Sequence, residues 1–204
     1  GYVYHPSLNK WKLQTVAIPQ VTYRRHKKQQ GIGRLKKYLS ERNGIFFNTP
    51  CYDKWQIYNK LKEHPSFRSK LPYTVRLMKS EDVQNMLVQF KKIVLKPINS
   101  SQGKGILFIE KVSNNDTQSF ILYDYRKQTK KVFKTIFARE SELFEKLEKY
   151  HVFDGHYLCQ QWIPLLKING QSPFDIRVIM QKKKNKWYCS GMECRIAEQL
   201  KDVT

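Results

Sequence analysis

A chain of 204 residues with 40% hydrophobic and 13% aromatic side chains can bury a core, as one compact unit or as two small lobes. Its 38 lysines and arginines against 17 acidic residues give a formal charge of +21 and a pI near 9.8, a positive field that attracts polyanions. No run reaches the roughly eighteen apolar residues of a membrane helix, and the polar opening GYVYHPSLNKWK lacks the apolar segment of a secretory signal, so a cytosolic chain is expected.

The basic residues are spread, with clusters at 24–28, 127–134 and 182–186 in expected turns. Most read as solvated surface lysine. Aromatic residues interleave them and could stack on bases, which leaves nucleic-acid binding open as an alternative. Cys51, Cys159, Cys189 and Cys194 show no CxxC spacing and read as reduced, mostly structural thiols. No Cys or His pair stands at zinc spacing. Beginning at Gly1 and stopping at Thr204 just after a strand-like segment, the chain reads as part of something longer.

In chain order, 13–24 looks strand-like on both sides of Pro19, 33–44 looks helical with a glycine stop, and Ile45, Phe46 and Phe47 give a short strand. A domain boundary is expected at Asn48, Thr49 and Pro50. Asp53 can cap a helix that Pro65 ends, with Lys54 in its first turn. A helix N-terminus favours anions, so this lysine is either an indifferent surface residue or one that works beside a bound phosphate. Ser80 is read as a second cap, before a helix with Val83, Met86, Leu87 and Phe90 on one face.

The stretch IVLKPINSSQGKGILFIE, 93–110, then reads as strand, loop, strand. Lys96 ends the first strand. Ser100, Ser101, Gln102, Gly103, Lys104 and Gly105 form a loop that can aim backbone N–H groups and a lysine at phosphate; a hairpin turn with a solvated lysine is the competing reading. Beyond it come SFILYDY and KVFKTIFA as strands, a helix over about 140–150, and the strands HYLCQQWI, FDIRVIMQ and KWYCSGMECRIA. In FDIRVIMQ the two-residue period turns Phe174, Ile176, Val178 and Met180 towards a core and Asp175, Arg177 and Gln181 away from it. Asp175 and Arg177 then share a face, which on its own also suits an ion pair on a solvated sheet. Arg195 adds a cation at the end of the next strand.

Six ordered segments, FFNTPCYDKW, LPYTVRL, IVLKPINSSQGKGI, YLCQQWIPLL, NGQSPFDIRVIMQ and RIAEQLKDVT, resemble the ATP-grasp superfamily. More narrowly, they look like its YheC/YheD type, associated with bacterial endospore coats. The resemblance implies an α+β ATP-grasp fold in which two α+β lobes clamp a nucleotide. It divides the chain into a partial α/β pre-ATP-grasp segment at 1–50, an N-lobe at 51–155 and the start of a C-lobe at 156–204. It also implies ATP and Mg²⁺ as cofactors and a carboxylate and an amine or thiol as substrates, joined through an acylphosphate. The context it suggests is the spore, with coat proteins or an anionic surface as partners. An inactive binding protein of the same fold is the alternative.

By the same resemblance, Lys54 and Lys96 contact the nucleotide phosphates and the loop of Ser100, Ser101, Gln102, Gly103, Lys104 and Gly105 closes over them. Gln160, Gln161, Trp162 and Ile163 meet adenine, Gln160 at the exocyclic amine, where many relatives carry glutamate. Asp175 lies near ribose and metal, and Arg177 and Arg195 face the transferred phosphoryl group, where a planar cation stabilises spreading charge. Two departures stand out. Some fifty residues separate the loop from the QQWI strand, longer than in the compact ATP-grasp ligases though in keeping with the YheC/YheD type, and the family's metal-binding acids match no position up to Thr204, so this stretch is expected to bind nucleotide weakly and not to turn it over efficiently.

Overall fold

The structure is a computed structural model that describes residues 1–24, 32–48, 52–101, 103–114, 117–126 and 132–196. Gln102, Cys51, Thr49 and Pro50, the basic turn at 127–131 and the terminal segment from 197 lie outside the described residues. The chain divides into two units, Gly1–Tyr52 and Asp53–Thr204.

In the first unit β1 (Tyr2–His5) and β2 (Lys10–Leu13) form an antiparallel hairpin. Tyr4 and Trp11 sit opposite each other in it, with ring centroids 5.3 Å apart. The strand expected ahead of Pro19 is therefore displaced: 14–20 carry no strand, because the pairing partner of this region is the extreme N-terminus rather than the chain beyond the proline. Beyond it lie β3 (Val21–Tyr23), α1 (Ile32–Ser40) and β4 (Ile45–Phe47), with β3 and β4 parallel. Gly44 donates to the Leu39 carbonyl and stops the helix.

The second unit opens with α2 (Lys54–Glu63), started by a reciprocal cap: Asp53 Oδ1 accepts from the Gln56 N–H at 2.8 Å, and Gln56 Oε1 accepts from the Asp53 N–H at 3.1 Å. Pro65 does not simply end the pattern, as expected, but opens a one-turn helix, α3 (Pro65–Arg68), since proline lacks only an N–H that a first turn leaves unpaired. After β5 (Thr74–Arg76) comes α4 (Ser80–Gln89). Its N-cap is Lys79 rather than Ser80, which is already the first helical residue, and the Asp82 carboxylate inside the first turn accepts from the Met78 and Lys79 N–H groups.

Then follow β6 (Lys92–Pro97), β7 (Leu107–Asn114), β8 (Thr117–Asp124), β9 (Phe133–Phe137), α5 (Glu140–Glu148) and β10 (Tyr157–Gln161). They build a six-stranded sheet in the order β5-β10-β6-β7-β8-β9, every neighbouring pair antiparallel. One face carries Ile93, Leu95, Leu107, Ile109, Phe120, Leu122 and Cys159, buried with Val83, Met86 and Leu87 of α4 and Leu143 and Leu147 of α5. This is the core, and the alternation along β6 leaves Lys92, Val94 and Lys96 on the opposite face.

The chain ends in β11 (Lys167–Ile168), β12 (Ser172–Lys183) and β13 (Lys186–Ile196), the last two a long antiparallel hairpin. The expected alternation is present, but its apolar side is not a core: Ile176 is 60% and Val178 50% exposed. Period two fixes which residues share a face, not whether anything covers it. Cys189 and Cys194, read as structural, are exposed on this hairpin, whereas Cys159 is buried and its thiol pKa is pushed up by that burial.

Candidate functional site

The N-terminus of α2 abuts the turn that follows β6, where the Lys54 N–H reaches the Ile98 carbonyl at 3.4 Å. From that position the Lys54 ammonium donates to the carbonyls of Pro97 (2.6 Å), Ile98 (3.4 Å) and Ser100, and approaches Ser100 Oγ at 3.4 Å. The unfavourable helix end is thus offset by a turn that converges carbonyl oxygens on one cation. Burial holds the Lys54 pKa below the usual lysine value, with Asp53 opposing. In this conformation all three N–H donors of Lys54 are engaged at the base of the loop.

Lys96 projects from the same turn's leading strand. Its ammonium donates to Gln160 Oε1 at 2.8 Å. Gln160 lies on β10 opposite Val94 of β6 and opposite Thr74 of β5, and its Nε2 donates to Thr74 Oγ1 at 2.9 Å. Burial first, and then the charge of Lys54, lower the Lys96 pKa. Two cations are therefore held near one another, and the hydrogen-bond partner of the more buried one is a neutral amide. Such a pair favours an anion with several oxygens.

The loop is anchored at both ends. Ser100 is held by Lys54, and Gly105 packs at φ +80° where a Cβ would fall 2.7 Å from the Pro97 ring. Tyr157 Oη donates to the Gly105 carbonyl at 3.3 Å. Between these anchors Lys104 is exposed and its N–H turns back to the Ser101 carbonyl, while Gly103 has φ +68°. Gln102 of this loop lies outside the described residues.

Along β10, the Gln161 N–H donates to Tyr73 O at 2.8 Å and the Trp162 N–H to Lys92 O at 3.2 Å. Among the described residues the Ile163 N–H meets no acceptor. Asp175, Arg177 and Arg195 sit on the β12–β13 hairpin and pair across it: Arg195 with Asp175 as a two-pronged ion pair, and Arg177 with Glu193 at 3.6 Å. The structure thus brings Lys54, Lys96 and Gln160 together, and neither Arg177 nor Arg195 belongs to that hydrogen-bonded cluster.

A family profile described as "YheC/D like ATP-grasp" matches residues 43–204. The chain belongs to this family. Endospore coat-associated protein YheC of Bacillus subtilis (strain 168) is 26% identical over 203 residues, covering 95% of this chain and 53% of the relative. Endospore coat-associated protein YheD of the same strain is 24% identical over 203 residues, covering 93% of this chain and 42% of the relative. The chain thus spans about half the length of the curated relatives it matches. No solved structure matches it significantly. The α+β ATP-grasp fold expected from the sequence is the fold of this YheC/D-like ATP-grasp chain.

Sequence reasoning missed the other occupants of the lysine face. A cavity of 130 Å³ on that face is lined by Lys92, Phe108, Ile109, Glu110, Tyr123, Tyr125 and Trp162. Lys92 pairs with Glu110 at 2.9 Å and lies over the Trp162 ring at 5.3 Å. The signal was present as the alternation Lys92, Val94, Lys96, but its partners come from β7, β8 and the residue after β10, and only register joins them. Thr74 was missed for the same reason, although LPYTVRL was singled out.

Proposed function

We propose that this chain binds ATP on the Lys96 face of its six-stranded sheet, with the base at the Gln160–Ile163 end of β10 and the phosphates towards Lys96, Lys54 and the loop from Ser100 to Gly105. The observation that carries this reading is the Lys96–Gln160 hydrogen bond beside a second lysine, a cationic site whose acceptors are an amide and backbone carbonyls. A phosphate oxygen offers Lys96 the anionic partner that Gln160 does not. Lys54 reaches phosphate by exchanging its longer contacts, to Ile98 O and Ser100 Oγ, and thereby couples the loop's position to the ligand. Ile163 and Trp162 supply apolar wall, and Asp175 lies near the ribose.

For the whole protein the proposed chemistry is that of ATP-grasp ligases: a carboxylate takes the γ-phosphoryl group to give an acylphosphate, which an amine or thiol then attacks. Arg177 and Arg195 are the candidate phosphoryl contacts, provided the hairpin's ion pairs open to the ligand. Among the described residues no group of three or more His, Cys, Asp or Glu side chains could hold a metal ion by itself; Mg²⁺ beside a nucleotide typically takes one or two carboxylates, and phosphate oxygens supply further ligands. In the same reading 1–50 is a partial pre-ATP-grasp segment, 51–155 the N-lobe and 156–204 the start of the C-lobe. The relatives' association with the endospore coat suggests a spore setting.

The test is thermal unfolding with and without ATP. A rise in Tm of the wild type that Lys96→Ala abolishes is expected; a melting curve unmoved by millimolar ATP contradicts the proposal.

A further inference from the structure

Thr74 is a buried polar residue, 5% exposed, in the short strand β5 directly opposite Gln160. Its hydroxyl lies 2.9 Å from Gln160 Nε2 and 2.9 Å from the carbonyl oxygen of Pro72. A carbonyl can only accept, so the single Thr74 proton is directed to Pro72, and the hydroxyl lone pairs face Gln160. On the other side the Lys96 ammonium can only donate. Both neighbours therefore require one orientation of the Gln160 amide, with Oε1 beside Lys96 and Nε2 beside Thr74. A flipped amide sets its NH₂ against the ammonium and its oxygen against a hydroxyl oxygen whose proton is turned away.

We propose that Thr74 is a specificity-determining residue: by fixing the Gln160 amide, it makes the site present an acceptor beside Lys96 and so select an amino-purine nucleotide over an oxo-purine one. The inference rests on the ATP reading above. An exocyclic amine donates to Oε1, whereas a purine carbonyl at the same place meets another acceptor. A glutamate needs no such device, because either carboxylate oxygen accepts. A glutamine does, since half a turn about its last torsion exchanges acceptor for donor. Thr74 is a positioning residue in this account and need not touch the nucleotide.

The experiment compares ATP and GTP affinities by calorimetry for the wild type, Thr74→Val, Thr74→Ser, Gln160→Glu and the double variant Gln160→Glu/Thr74→Val. The wild type should prefer ATP, Thr74→Ser should keep the ratio, and Thr74→Val, which preserves shape but not the hydroxyl, should lower it by about tenfold. In the Gln160→Glu background the valine should leave the ratio unchanged, an outcome a merely structural threonine does not produce. Should Thr74→Val not fold, Thr74→Ala reads the same ratio. A Thr74→Val ratio equal to the wild type's, with ATP still bound, overturns the role of Thr74 and leaves the ATP site standing. A wild type that binds neither nucleotide overturns the ATP site itself, before any variant is made.

Discussion

The six-stranded sheet and the β12–β13 hairpin use the same alternation of apolar and polar residues to opposite effect. In the sheet, Ile93 and Leu95 are 0% exposed beneath α4 and α5, and Lys96 on the opposite face is half-buried against a neutral amide. In the hairpin, Ile176 and Val178 are more than or about half exposed, and the arginines are matched by carboxylates on the facing strand. On the face opposite the packed one, Lys96 is held by a neutral amide while Lys92 pairs with Glu110. Where nothing packs, the charges neutralise one another. In the proposed function the anion is held by Lys96 on the packed sheet, and the hairpin arginines reach it only when their ion pairs open.

The comparison is broken most strongly through the core. Phe120→Ala should destabilise the chain by about 3–5 kcal/mol, because Phe120 is fully buried, whereas Ile176→Ala on the hairpin should cost less than about 1 kcal/mol. Urea unfolding of the two variants measures this, and equal losses would show that the hairpin's apolar side is covered.

The loop's anchor at Gly105 comes next. Gly105→Ala places a Cβ against the Pro97 ring at a positive φ, with an expected cost of about 1–3 kcal/mol, read in the same unfolding assay. Gly103→Ala, with open space around it and a positive φ alone, should cost less.

The pH response sharpens the electrostatic side. Because burial and Lys54 lower the Lys96 pKa, the charged form opposes folding, and the stability contribution of Lys96 is least below the folded pKa and rises as pH climbs from there towards 10.5. Anion binding runs the other way, since it needs the ammonium. The Tm increase produced by ATP should therefore shrink in the wild type before pH reaches 10.5, while a Lys96→Arg variant that binds ATP should hold its increase further into the alkaline range. A wild-type increase that is flat up to pH 10.5 contradicts the role of Lys96.

What the sequence makes legible is local. The Asp53 cap, the Lys54 position, the β6 strand that carries Lys96 and the two glycines of the loop are each set by residues within a turn of one another, and each is found where those residues place it, β6 running one residue further, to Pro97. Pairing across long separations is not legible in this way. Thr74 meets Gln160 86 residues away, and Glu110 meets Lys92 because β7 returns beside β6 in one particular register. Likewise, alternation along β12 predicts two faces but carries no information on whether a partner covers either one. The N-terminal hairpin escapes notice because its strands are short and the Tyr4–Trp11 contact that joins them is a cross-strand pair.

The most direct test of the account is a calorimetric titration of ATP into the wild type, Lys96→Ala and Arg195→Ala side by side. The account predicts a single site in the wild type, lost in Lys96→Ala and retained in Arg195→Ala, because the nucleotide is held by the packed sheet rather than by the exposed hairpin. Binding that survives in Lys96→Ala at wild-type affinity would contradict it.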